Sequence, residues 1–156
     1  MNAPRLILAS ASPARLKVLR GAGLDPEVII SGVHEEGIDA PNTAELTVKL
    51  AQLKAVAVAT NTPNALVIGC DSLLEFEGEA LGKPFDEVEA VERWQRMRGH
   101  HGVLHTGHCI IDTQRDVWLA RSAATQVRFA NISDDEIAAY VASGEATKVA
   151  GAFTLD

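Results

Sequence analysis

Six consecutive apolar residues, Ala65-Leu66-Val67-Ile68-Gly69-Cys70, constrain the fold more than any other stretch. A strand with one face in water alternates apolar and polar side chains, whereas one that is apolar throughout needs cover on both faces. In a chain of 156 residues that cover comes from helices packed on a central sheet, in one domain that removes roughly two-thirds of its unfolded surface from water. The flanking sequence supplies them. Leu6–Ser10 reads as a first strand and Pro13 to about Ala22 as a first helix, with Leu16 and Leu19 on its inner face and Gly21 and Gly23 as its stop. Asp25-Pro26 turns into Glu27–Ser31, a β-branched second strand. Asn42 and Glu45 form a capping pair for a long helix to about Thr60, with Leu46, Leu50, Leu53 and Ala57 on one face.

Beyond the apolar run, Leu73–Phe76 continues as a hairpin arm turning at Glu77-Gly78-Glu79. Asp86 with Glu89 opens a helix lined by Val88, Val91 and Trp94 and ending near Arg98-Gly99. Gly102–Asp112 and Val117–Phe129 read as strands around a turn at Thr113–Asp116. Ser133 with Glu136 is a third capping pair, opening a helix through Ile137, Tyr140 and Val141 that Gly144 stops. Lys148–Asp156 reads as loop and strand. Alternating strands and helices with a late hairpin predict a mixed α/β sheet with flanking helices.

The candidate chemistry lies where strands give way to loops. In Ser10-Ala11-Ser12-Pro13-Ala14-Arg15, Ser12 suits the N-cap and Pro13 the first helical position. A helix that begins at a strand's mouth turns backbone N–H groups and the positive end of its dipole toward the crevice. Ser10 and Ser12 add hydroxyls there and Arg15 a fixed charge, making an anion cradle, although the same residues also spell an ordinary well-capped turn. Asp71 follows the apolar strand, which puts it at the strand's end, where open α/β sheets hold their ligands; a turn aspartate has the same sequence context. Lys54 lies about 80° round the long helix from Leu46, so its stem can rest on the core while its amine reaches a cleft. Lys83, between Gly82 and Pro84, suits a phosphate and a plain turn alike.

These groups mean more together. Glu35 and Asp71 could hold a divalent cation, since Mg²⁺ takes a few carboxylates with phosphate oxygens and water. Arg15, Lys54 and Lys83 would neutralise a polyphosphate. A helix N-terminus contributes only about 0.3–1 kcal/mol, up to about 2 when partly buried, too little to hold a polyanion beside two acids; the metal and the lysines are therefore required. With 14 basic and 21 acidic residues the formal charge is −7, which argues against broad nucleic-acid binding. Cys70 and Cys109 form no close pair and suit thiols in a reducing cytoplasm, Cys70 being too apolar in its surroundings for a nucleophile. No apolar run reaches membrane-spanning length and the N-terminus has no signal-peptide pattern. His100, His101, His105 and His108 crowd one span, but His105 and His108 point to opposite faces of a strand and no Cys or acid completes a zinc spacing.

The ordered set of motifs resembles the Maf family of nucleoside triphosphate pyrophosphatases, once described as septum-formation inhibitors. It comprises Leu8-Ala9-Ser10-Ala11-Ser12-Pro13-Ala14-Arg15, Glu35 after Val33-His34, Lys54-Ala55, Gly69-Cys70-Asp71-Ser72 and Gly82-Lys83-Pro84. It continues with Thr106-Gly107, Tyr140 with Gly144-Glu145, and Ala150-Gly151-Ala152-Phe153. The resemblance implies an elongated, two-lobed α/β fold like that of inosine triphosphatases, with a central cleft, and a homodimer. It implies Mg²⁺- or Mn²⁺-dependent cleavage of non-standard, modified or pyrimidine nucleoside triphosphates to monophosphate and pyrophosphate. Matched position by position, Asp71 is the proton acceptor and Glu35 the acid that assists metal binding, while Ser10, Arg15, Lys54 and Lys83 handle phosphates, with Ser12 the second hydroxyl of the cradle. Asp156 falls where relatives carry Gln or Glu near the substrate, and the chain, a single Maf-like domain, stops short of a further strand and helix found in them. Ala14, His34 and Ser72 stand where the family usually has Arg, Asp and Thr. The family's older description supports a second reading, a non-catalytic nucleotide-binding regulator of septum formation.

Overall fold

In the computed structural model, which describes residues 4–154, strands and helices alternate as the sequence predicts. The order is β1 (Arg5–Leu8), α1 (Pro13–Gly21), β2 (Glu27–Val28), α2 (Thr43–Ala59), β3 (Ala65–Phe76), β4 (Glu79–Leu81), α3 (Glu87–Met97), β5 (His101–Asp112), β6 (Val117–Arg128) and α4 (Asp134–Ala142). The strands form one mixed sheet in the order β2-β1-β3-β5-β6, with β4 also paired to β3. Strand β1 is parallel to both neighbours, in a register of Leu8 opposite Val28 and Ile68, and β3 is antiparallel to β4 with Leu74 opposite Leu81. The β3–β4 turn needs positive φ at both central residues, which Glu77 (51°) and Gly78 (81°) adopt. No helix among the described residues is long and apolar enough to cross a membrane.

Two compact units share the long strands. The first comprises Met1–Asp71 and Thr106–Ala123, the second Ser72–His105 and Ala124–Asp156. In the first, α2 packs on the sheet with only Leu50 of the leucine stripe buried. Its buried residues are Thr43, Thr47, Leu50, Ala51, Ala55 and Val58, while Leu53 and Ala57 are exposed. The reason is close approach. A Cβ at Gly69 would lie 2.1 Å from the Ala51 carbonyl oxygen, and one at Gly107 2.2 Å from the Thr47 carbonyl. Glycines on β3 and β5 thus let the helix settle by its small residues, and the core beneath is Ile7, Ala9, Ala51, Ala55, Val58, Ala65, Val67 and Cys109. Asn42 Oδ1 accepts the Glu45 N–H at 2.9 Å, fixing the helix start as predicted.

The second unit has an aromatic centre. Trp94 meets Phe129 and Tyr140 edge-on, each at 5.6 Å between centroids, and donates its indole N–H to Ala152 O at 2.7 Å. Two expectations change here. The inner residues of α3 are Ala90 and Met97, with Val88 exposed at 66%, because Val88 sits on the outward side of the first turn. The stretch after α4 forms two 3-10 turns, Ala146–Lys148 and Ala150–Ala152, instead of a strand. Gly151 and Ala152 have φ of 70° and 61°, incompatible with extended backbone.

Candidate active site

Of the candidate site residues, Ser10, Ser12, Arg15, Glu35, Lys54 and Asp71 lie in the first unit, where Lys54, Glu35 and Arg15 act on the buried acid Asp71. At the β1–α1 junction, Ser12 caps the helix, its hydroxyl accepting the Arg15 N–H at 3.5 Å. Ser10 Oγ is buried and accepts twice, from the Ser12 N–H at 3.2 Å and from Arg15 Nη1 at 2.8 Å. Ser10 thereby folds the arginine back over the mouth of the helix. The turn uses two backbone donors for its own closure, so what it offers an anion is mainly the serine hydroxyl protons and the guanidinium charge.

Asp71 corrects an expectation. It is the seventh of the twelve residues of β3, in mid-strand, not at the strand's end. The backbone pairing that prolongs a strand is indifferent to the polarity of Asp71-Ser72, so the apolar run marks only the first half of β3. Asp71 is 6% exposed and its carboxylate accepts from Lys54 Nζ. The same ammonium donates to Glu35 Oε1 at 2.7 Å, from a loop where the glutamate is half exposed. Lys54 sits deeper than an edge position allows, with its side chain 12% exposed. The rotation of α2 onto its small residues carries it inward.

The charges set one another. Burial opposes the charge on Lys54 most strongly, but hydrogen bonds to Asp71 and Glu35, and their charges, outweigh it and hold the ammonium above its ordinary pKa. Burial is also the largest influence on Asp71 and raises its pKa; Lys54 and, more weakly, Arg15 pull the other way, while Glu35 adds to the rise. Burial likewise pushes the Cys70 thiol up, against the pull of Arg15, consistent with an unreactive sulfur.

Two carboxylate oxygens converging on one cationic point form a donor pair suited to a divalent cation. Among the described residues no group of three His, Cys, Asp or Glu could hold a metal. A two-carboxylate site leaves most of the coordination shell to phosphate oxygens and water, which is the preference of Mg²⁺.

Lys83 belongs to the second unit, exposed on the loop between β4 and α3. That loop is pinned behind it. Gly82 O accepts from Arg93 Nη1 at 2.7 Å and from the Gly151 N–H at 3.1 Å. A Cβ at Gly151 would come within 2.8 Å of Leu74 Cβ, so glycine is required there by both space and φ. Arg93 is a supporting residue that the sequence reading missed. Its signal was the i,i+4 spacing from Glu89, whose carboxylate it meets at 2.6 Å. Asp156 lies outside the described residues.

Residues 5–156 match the family described as Maf-like protein. The nucleoside triphosphate pyrophosphatase of Streptomyces avermitilis is 59% identical over 154 residues, covering 97% of this chain and 75% of that protein. A protein of the same name from Microcystis aeruginosa is 51% identical over 151 residues, covering 97% and 77%. Among solved structures, a HAM1 protein from Coxiella burnetii shares the fold at a TM-score of 0.51 and 14% identity, over 83% of this chain and 74% of that one. Protein VC0702 from Vibrio cholerae does so at 0.50 and 15%, over 93% and 80%. A family match along nearly the whole described length, joined to relatives above half identity, places the chain in the Maf family.

Proposed function

We propose that this chain is a nucleoside triphosphate pyrophosphatase, cleaving the bond between the α and β phosphates to give a monophosphate and pyrophosphate. The observation that carries the reading is the Asp71–Lys54–Glu35 cluster beside Arg15, in a chain whose relatives bear that name. Asp71 serves as general base. It takes a proton from water as the water oxygen bonds to the α-phosphorus, and pyrophosphate leaves with the electrons of the broken P–O bond. A buried carboxylate with a raised pKa is a stronger base than a solvated one, and such bases contribute about 10²–10⁴-fold. Lys54 and Arg15 neutralise phosphate charge, Ser10 and Ser12 orient the phosphates through their hydroxyls, and Lys83 adds a further cation. Glu35 and Asp71 would hold Mg²⁺ or Mn²⁺, which supplies charge neutralisation on the phosphates when bound.

The substrates we propose are non-standard, modified or pyrimidine nucleoside triphosphates, handled by a homodimer in the cytoplasm with neither nucleic acid nor membrane as partner. Both cysteines are free thiols, which suits that compartment. The test is pyrophosphate release from a panel of triphosphates with Mg²⁺, for wild type and Asp71→Asn. Release by wild type, falling at least about 100-fold in the variant, is the expected result. Absence of release from every triphosphate overturns the proposal, and equal release by both overturns the role of Asp71.

A further inference from the structure

The two carboxylates assigned to the divalent cation already share a cation of the protein's own. Lys54 Nζ bonds Glu35 and Asp71 together, joining a loop to the middle of β3. An ammonium has three N–H donors, and these contacts occupy two of them. The stem cannot give way by moving its helix, because α2 is seated against backbone at Gly69 and Gly107 with no room for even a methyl group. A change at this point therefore falls to the Lys54 side chain and to Glu35 on its loop, not to α2. A divalent cation bonded to both oxygens would stand beside a buried positive charge, which the low-dielectric surroundings penalise heavily.

We infer that Lys54 is a resident counter-cation that competes with the divalent cation for Glu35 and Asp71, and that an incoming triphosphate opens the site by drawing the ammonium onto its own oxygens. This rests on the phosphoanhydride-cleaving reading and adds an order of events to it. Without a phosphate ligand the carboxylates stay neutralised by Lys54 and bind metal weakly. With one, metal and phosphate bind in mutual support, each raising the affinity for the other by the same factor. The lysine thus acts on metal occupancy as well as on the substrate.

The experiment measures Mn²⁺ alone, with no nucleotide present, binding to the full chain, by the electron paramagnetic resonance signal of the free ion. Lys54→Met keeps the apolar stem and removes the charge. The expected result is at least about tenfold tighter Mn²⁺ binding than wild type, within the range usual for coupled sites, and loss of that gain when Glu35→Gln is added. Lys54→Gln keeps N–H donors for the carboxylates without the charge; it gives the same gain and serves if the methionine variant does not fold. Binding by the folded variant that equals or falls below wild type overturns the inference, as does a gain that survives Glu35→Gln. Pyrophosphate release by wild type is read separately. Release without the gain overturns this inference alone, whereas the gain without release upholds the competition and overturns the catalytic reading.

Discussion

Asp71, the proposed general base, shows in one residue how function and stability oppose each other. Its pKa is raised chiefly because the carboxyl is buried, so the folded chain holds that proton more tightly than the unfolded chain does. Ionising it therefore costs stability: the contribution of the protonated form is complete below the ordinary aspartate value of about 3.9 and is lost as pH rises through the raised value. At neutral pH Asp71→Asn removes that cost but also takes a counter-charge from the buried Lys54 ammonium, so its melting temperature should stay close to that of wild type while turnover is lost. Thermal melts beside activity assays check both; a variant that melts well below wild type would make Asp71 a structural partner of Lys54 first. The same shift places the acid limb of kcat/KM above the ordinary carboxylate range, since the base works only when ionised. A pH profile whose limb falls at the ordinary value contradicts that assignment.

Residue identities were more legible than their placement. Ser12, Pro13 and Arg15 announce the helix mouth through their own local bonding, so the turn is readable from sequence. Lys54 and Asp71 are not local. Their meeting depends on which face of α2 turns inward and on how far β3 runs past its apolar half, both settled by partners far along the chain.

At the scale of elements, the capping pairs read true because a cap is a contact between residues three apart. Ser133 accepts the Glu136 N–H at 3.3 Å, and the Ser133 N–H donates to the Glu136 carboxylate at 2.7 Å. Ser133→Ala should cost about 1 kcal/mol, read as a shift of the denaturant midpoint with unchanged slope. Helix faces read less well. The leucine stripe of α2 gives the period of a helix, but the glycines of β3 and β5 select the alanine and threonine side, and that preference is invisible without the pairing. Gly107→Ala sets a methyl against the Thr47 carbonyl and should destabilise by about 1–3 kcal/mol or more. A melting temperature unchanged from wild type would mean the helix can lift from the sheet.

For the whole molecule, a chain with a formal charge of −7 must bind a polyanion through local charge against its average field. Arg15 and Lys54 in the first unit are the cations proposed to do so. The mixed sheet and its alternation with helices were readable from one apolar strand and its flanks. The division into two compact units was not, because β3, β5 and β6 run through both and no linker marks the boundary. Lys148–Asp156, expected as loop and strand, differs over its described residues for a related reason: Gly151 packs close to Leu74, 77 residues away along the chain.

The central claim is that water, activated by Asp71, attacks the α-phosphorus. Hydrolysis of a triphosphate in water enriched in ¹⁸O, with both products read by mass spectrometry, tests it most directly. The account predicts one ¹⁸O in the nucleoside monophosphate and none in the pyrophosphate. Label in the pyrophosphate, or release of labelled orthophosphate, would contradict it.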